Sequence, residues 1–307
     1  LVDSVVVSNK RAMFGGGAYI SGSGVIERCD FIGNETHDSG SGGGVGNYGG
    51  IVRGCKFEKN HVGSMGGGGG AYNGYSSYGT TSRIENSVFF DNYGGYVGGG
   101  ICVTTGIVQN CLIISNSAGR GGGLGIYSVG FANNCTIIGN TASSIGGGVH
   151  LWDTGEVIFN SIIYDNTAPT GNNYFIEGTG SFSYSCTTPD PNYLGGTGNI
   201  TNPPLFIDPS EGNYRLRYDS PCRDSGTNLD DMGIIDLDGK PRIVNQTVDM
   251  GAYEFHAFSV LNDFDRNGKS DLTLYDTNSG NWYIRGVTGE VLAWEKPWGG
   301  RDFQPIT

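Results

Sequence analysis

Through its first 170 residues the chain alternates short apolar runs with polar bends, and the alternation recurs. Asn134-Cys135-Thr136-Ile137-Ile138-Gly139-Asn140 sets the template, and the same order of small, polar and apolar positions returns at 110–116 and 86–92. The asparagines that close each run are Asn9, Asn34, Asn60, Asn92, Asn116, Asn140 and Asn166, spaced by 25, 26, 32, 24, 24 and 26 residues. Aligned on Cys135, the column holds only cysteine or serine, from Ser4 through Cys29, Cys55, Ser87 and Cys111 to Ser161. Two places later stand Val6, Phe31, Phe57, Phe89, Ile113, Ile137 and Ile163, and three places earlier Ile26, Val52, Ile84, Val108, Ala132 and Ile158. After each glycine run another apolar column begins, with Val45, Ala71, Ile101, Leu124 and Val149 among its members. Apolar residues at alternate positions in short runs predict strands, here three per repeat. A fixed period in the twenties predicts a solenoid.

Leucine-rich repeats share this period, but leucine is scarce and no segment carries a helical stripe. Calcium-binding nonapeptide rolls need a nine-residue period, which is absent. The remaining architecture is an all-β parallel β-helix, right-handed by the rule for crossovers between parallel strands. Its coils should stack about 4.8 Å apart. Two asparagine columns, Asn34 to Asn166 and Asn86 to Asn160, suit bends, since asparagine tolerates left-handed backbone and its amide can bond the same group one coil away. The glycine runs suit close approach.

Of 307 residues 56 are glycine and only 16% are charged, yet no Gly-X-Y period suggests collagen. The net charge of −12 argues against nucleic acid and anionic membrane as partners. No run of 18 apolar residues offers membrane insertion. The balance favours a secreted or cell-surface protein. Because Leu1 to Asn9 already matches the repeat, the chain is expected to be an excerpt of a longer one.

Phe31-Ile32-Gly33-Asn34, Phe57-Glu58-Lys59-Asn60 and Phe89-Phe90-Asp91-Asn92 resemble the Phe-x-x-Asn motif of polymorphic outer-membrane adhesins. The partner motif of that group, Gly-Gly-Ala-aliphatic, is mostly Gly-Gly-Gly here. The resemblance covers about half the chain and implies a surface β-helix more firmly than any activity. Outward positions on successive coils hold Tyr19, Tyr72, Tyr127, His150 and Trp152, a candidate strip for polysaccharides or cell-surface glycans. The loop at 74–79 stands ready to wall that surface. Self-association and further domains of the same chain are the other partners expected.

A polysaccharide lyase or glycoside hydrolase of the β-helix type is the alternative, and hydrolysis needs paired carboxylates. The relevant outward column reads Glu27, Arg53, Glu85, Gln109, Asn133, Phe159, a ladder of alternating charge that offers no acid pair. Asp153, Glu156 and His150 form the remaining cluster. The next outward column turns apolar, from Asp30 and Lys56 to Val88, Leu112, Thr136 and Ile162. No catalytic residue is assigned, and the expected function is a structural or adhesive surface role.

Beyond Pro169 the pattern breaks. Segments 204–209, 213–216, 220–226, 236–242 and 248–254 together resemble the end of β-helices in proteins of the choice-of-anchor type, which implies a cap over the last coil. Asp236 and Asp238 fit a turn at Gly239 better than a metal site. Of seven cysteines, those of the interior column suit buried free thiols, while Cys186 and Cys222 in the irregular segment are expected to pair as a disulfide. Asp263-Phe264-Asp265-Arg266-Asn267-Gly268-Lys269-Ser270-Asp271 alternates oxygen donors around a glycine. Such alternation suits calcium, with Asp263, Asp265, Asn267 and Asp271 giving side chains and Lys269 its carbonyl. With Leu274 where an EF-hand needs an acid, the loop instead resembles an FG-GAP or VCBS repeat, as does 281–285. The expected organisation is a β-helix over 1–170, its cap over 171–255, and one propeller-like calcium-binding repeat over 256–307.

Overall fold

The structure, a computed structural model, describes residues 1–75, 79–153, 155–256, 270–276, 281–286 and 289–296. It divides into two compact units, Leu1–Pro204 with Ser220–Glu254, and Leu205–Asp219 with Phe255–Thr307.

The first unit is a stack of parallel coils. In one coil the chain turns at Asn134 (φ 49°), runs through Thr136–Ile138, turns at Gly139 (φ 64°), and runs through Thr141–Ile145. It then turns at Gly146 (φ 64°), passes through Val149–Leu151 and Val157–Phe159, and reaches Asn160 (φ 48°), one coil on. The three strand positions build parallel sheets of eight, six and twelve strands, here called sheets 1, 2 and 3 in chain order. Pairing keeps the sequence columns in register: Phe57 faces Phe89, Phe89 faces Ile113, and Ile113 faces Ile137. The expected all-β parallel β-helix is therefore the fold. Coils also continue past residue 170, through Tyr174–Ile176, Ser181–Ser183 and Cys186–Thr187.

The interior follows the columns. Phe31, Phe57 and Phe89 are fully buried and stack with ring centroids 5.1 and 4.5 Å apart. Each buried ring or aliphatic side chain contributes about 1.5–3 kcal/mol of transfer free energy. The cysteine–serine column tolerates either residue because it needs only a small donor and acceptor. Ser87 Oγ donates to the Glu85 carbonyl (2.7 Å) and accepts from the Cys55 amide (3.1 Å), while Cys111 Sγ donates to the Gln109 carbonyl (3.1 Å).

The two asparagine columns diverge in role. In the column from Asn34 to Asn166 each side-chain oxygen accepts both the backbone and the side-chain N–H of the asparagine one coil earlier, as Asn140 does from Asn116 at 2.9 and 3.0 Å. These asparagines do not have left-handed backbone; the residues before them do, including Lys59, Asp91 and Ser115. Asn86, Asn110, Asn134 and Asn160 do have it. Their amides, expected to bond along the column, mostly leave it. Asn86 donates to Asp236 O (2.7 Å), Asn110 to Met232 O (3.0 Å), Asn134 to Asp249 O (3.3 Å), and Asn160 to Thr227 O (2.8 Å).

Those acceptors belong to a strap, residues 220–254, laid along the flank of the coils. The expected cap is thus corrected in part: residues 188–202 fold against the last coil, with Asn199 bonded to Ser185 N and Phe182 O, whereas the strap runs back along the side. It covers the outward column that turns apolar. Ala252 N donates to Thr136 Oγ1 (3.0 Å), and Leu112 and Ile162 are buried. A Cβ on Gly251 would come within 2.8 Å of Ile162 Cδ1, so the strap touches the coils through bare backbone.

The strap closes on a buried charge cluster. Arg242, 1% exposed, donates from Nη2 to the carbonyls of Asp249 (3.0 Å) and Gly251 (2.5 Å). The carboxylates of Glu254, Asp249 and Asp236 act on it electrostatically. Glu254 accepts from Val244 N and Asp249 N, and burial, then the Asp249 charge, push its carboxyl up to about 8. Asp236 Oδ1 accepts from the amides of Asp238 and Lys240, the turn expected at Gly239 (φ 74°).

In the second unit, Phe206–Asp208 and Asn213–Leu216 pair antiparallel around Gly212 (φ 74°). Leu272–Asp276, Asn281–Arg285 and Val291–Lys296 form a three-stranded antiparallel sheet.

Candidate functional site

Sheet 3 carries aromatic rings on its outer face because parallel register sets like positions one coil apart. Tyr19 faces Gly46, and Ser21 faces Tyr48. The ring of Tyr48 fills the space over Gly46 and lies 5.3 Å from Tyr19 and 5.2 Å from Tyr72, with Phe14 at 5.7 Å. Tyr72 ends this first cluster, its hydroxyl 3.1 Å from Thr104 Oγ1. A second cluster follows two coils on. Tyr127 stacks on Trp152 at 4.8 Å, and Tyr96 lies 6.2 Å from Trp152. The Arg120 guanidinium sits 4.7 Å from the Trp152 ring centre and 5.4 Å from that of Tyr96. Such cation–π contacts contribute about 0.5–2 kcal/mol. Glu177 completes the cluster, 3.2 Å from Arg120.

Of the strip expected from the sequence, Tyr19 is 53% exposed, and Tyr72, Tyr127 and Trp152 are half-buried. His150 requires correction. It occupies an outward register position, yet its ring is fully buried beside Trp152 (5.2 Å) and Phe175 (6.1 Å) and cannot meet a ligand directly. Burial, helped by the Arg120 charge, lowers its pKa to about 4, so the imidazole is neutral. The row also divides into two clusters, separated where Cys102 and Gly125 occupy the column. The sequence columns did not bring Tyr96, Arg120 and Glu177 to this surface, since Tyr96 and Arg120 come from sheet 2 and Glu177 from the link between two sheet 3 strands, Tyr174–Ile176 and Ser181–Ser183. The only signal was the recurrence of tyrosine near the glycine runs.

Stacked neighbours cover one another's faces, so the row offers outward ring edges and polar tips. Burial raises the pKa values of Tyr48, Tyr72 and Tyr127, which keeps their phenols protonated as hydrogen-bond donors. The pairing of Arg120 with Glu177 leaves the second cluster nearly neutral. Polar tips on an apolar body suit a hydroxyl-rich ligand with apolar ring faces.

The residues considered for catalysis are committed elsewhere. Glu156 is fully buried and accepts the Asp153 amide (2.5 Å). In the charged column Arg53 meets Glu27 at 3.1 Å, but Glu85 pairs with Arg83 on its own strand, and Arg83 also holds Asp231 of the strap at 2.8 Å.

Of the calcium residues, Asp263, Asp265, Asn267 and Lys269 lie outside the described residues, and Asp271 is 5% exposed. Among the described residues no three His, Cys, Asp or Glu side chains gather as a metal-binding group. All seven cysteines are free and buried. Cys186 and Cys222 come together from the last coil and the strap, thiol against thiol. No helix among the described residues is long and apolar enough to cross a membrane.

Compared with known proteins, residues 3–168 match the family model for the right handed beta helix region. Neither the curated proteins nor the solved structures gave a match. Parallel coils, stacked columns and a match over just over half of its length together place the chain in the right-handed β-helix family.

Proposed function

We propose that this chain is a non-enzymatic, extracellular or cell-surface shaft that contacts glycans along the aromatic flank of sheet 3. The observation that carries the reading is the row itself: Tyr19, Tyr48, Tyr72, Tyr127 and Trp152 lie on one flank, with neutral phenols and a charge-compensated guanidinium. Within each cluster, rings contributed by successive coils step along the helix axis by about 4.8 Å, which presents a repeating set of ring edges to an extended ligand. Rigidity supports the same reading, because the asparagine column and aligned cores hold the coils in fixed register and little ordering cost is left for binding. The engagement of Glu156 and Glu177 in structural contacts favours contact over hydrolysis, which needs two available carboxylates.

A glycan panel tests this. Wild type should bind at least one class of polysaccharide, and Trp152→Ala should weaken that binding tenfold or more while leaving the unfolding midpoint within a few degrees. Absence of binding across neutral, uronate and sulfated glycans would end the proposal.

A further inference from the structure

The same flank holds a cleft whose lining differs in chemistry from the aromatic row. The spacing of 32 residues from Asn60 to Asn92 exceeds the neighbouring 26 and 24, and the extra length falls between the strands Ala71–Asn73 and Arg83–Glu85. The two ends of this connection are anchored: Gly74 N donates to Asn47 O (2.8 Å), and Ser82 Oγ donates to Gly74 O. Gly74 allows the departure, since a Cβ there would lie 2.3 Å from Tyr72 Cε1. Beside these ends lies a cleft of about 360 Å³, whose described lining includes Tyr75 and Thr81 together with Thr105, Ile107, Val129 and Phe131 of sheet 3.

Among the described residues that line it, none is charged. A charged ligand would shed water there without a counter-charge, a cost of several kcal/mol. A wholly apolar ligand would cover threonine hydroxyls without replacing their hydrogen bonds to water, at about 1–3 kcal/mol each. A neutral ligand with both hydroxyls and apolar ring faces suffers neither penalty. The volume lies within the range of about 300–1,000 Å³ found for small-molecule sites. The cleft also continues the aromatic row, because Tyr72 ends against Thr104, the neighbour of Thr105.

We infer that this cleft is a subsite for a neutral sugar unit, and it selects uncharged glycans over uronates or sulfated chains. The inference rests on the reading that this flank contacts glycans. Calorimetric titration with neutral hexose oligosaccharides and with uronate oligosaccharides separates the two. Val129 is 64% exposed, so Val129→Glu should leave the fold intact while placing a charge in the cleft. Thr105→Val removes a hydroxyl at nearly constant volume. Thermal unfolding of both variants checks the fold.

The expected result is tighter binding of neutral than of uronate oligosaccharides by the wild type, a loss of tenfold or more in Val129→Glu, and a severalfold loss in Thr105→Val. Neutral binding that ignores both cleft variants but falls in Trp152→Ala would overturn the cleft and leave the aromatic row standing. Preference for uronates would also overturn it. Binding of neither class would overturn the cleft, and the flank reading would then fall only if sulfated glycans also fail to bind.

Discussion

Replacing Asn116 by alanine tests what holds the coils in register. Its side chain is 1% exposed and mediates contacts in both directions along the stack. Nδ2 donates to Phe89 O, Ile114 O and Asn140 Oδ1, each at 3.0 Å, and Oδ1 accepts from Asn92 N and Asn92 Nδ2, each at 2.9 Å. Alanine strands the buried Asn92 backbone N–H, at about 1–3 kcal/mol, and removes the remaining bonds at about 0.5–1.5 kcal/mol net each, partly recovered by relaxation. The low ends of these ranges already sum to about 3 kcal/mol, a large share of the 5–15 kcal/mol typical of a folded domain. Urea unfolding followed by far-ultraviolet circular dichroism measures it, with exposed Thr141→Ala as control. Asn116→Asp keeps the acceptor but loses the donor and buries a carboxyl. That carboxyl's pKa is raised in the fold, so the variant should be least stable at neutral pH and recover as pH falls through that value. A cost below about 1 kcal/mol for Asn116→Ala, or no pH dependence in Asn116→Asp, would refute the reasoning.

Three further outcomes are expected. Glu254 titrates near 8 in the fold against an ordinary 4.5, so the folded chain holds the extra proton between these values. Its contribution to stability should therefore decline as pH rises through that window and level off above it; Glu254→Gln should flatten the profile measured by urea unfolding. We propose that Cys186 and Cys222 close into a disulfide under oxidising conditions, seen by peptide mapping before and after reduction, whereas Cys55 of the interior column and Cys102 of sheet 3 resist alkylation until the chain unfolds, because burial pushes both thiols up to about 12. We also propose a calcium site at Asp263, Asp265, Asn267, Lys269 and Asp271. Chelation should speed proteolysis after about Phe255 and leave 1–204 protected, and Asp265→Ala should do the same in excess calcium.

Columns were readable in the sequence because a solenoid repeats its packing problem every coil. Phe31, Phe57 and Phe89 meet one environment, and so do Asn34 through Asn166. What lies outside the coils was not readable, because alternation says which side a residue faces and nothing about what covers it. Val88, Leu112 and Ile162 carried a trace of the strap, since outward apolar residues need a cover, but its identity depended on contacts across a hundred residues or more, such as Asn110 to Met232. His150 was misplaced for the same reason: its register position is outward, while Trp152 and Phe175 close over it. Arg120 and Glu177 are 57 residues apart and share no column, so only the folded coils could bring them to Trp152.

Hydroxyl-radical footprinting at saturating glycan tests the central claim most directly, because it reads the aromatic edges themselves. Bound glycan should slow oxidation of Tyr19, Tyr96, Tyr127 and Trp152 severalfold and leave Tyr218, 48% exposed in the other compact unit, unchanged. Unchanged rates across the row while glycan is demonstrably bound would place the contact elsewhere and contradict the account.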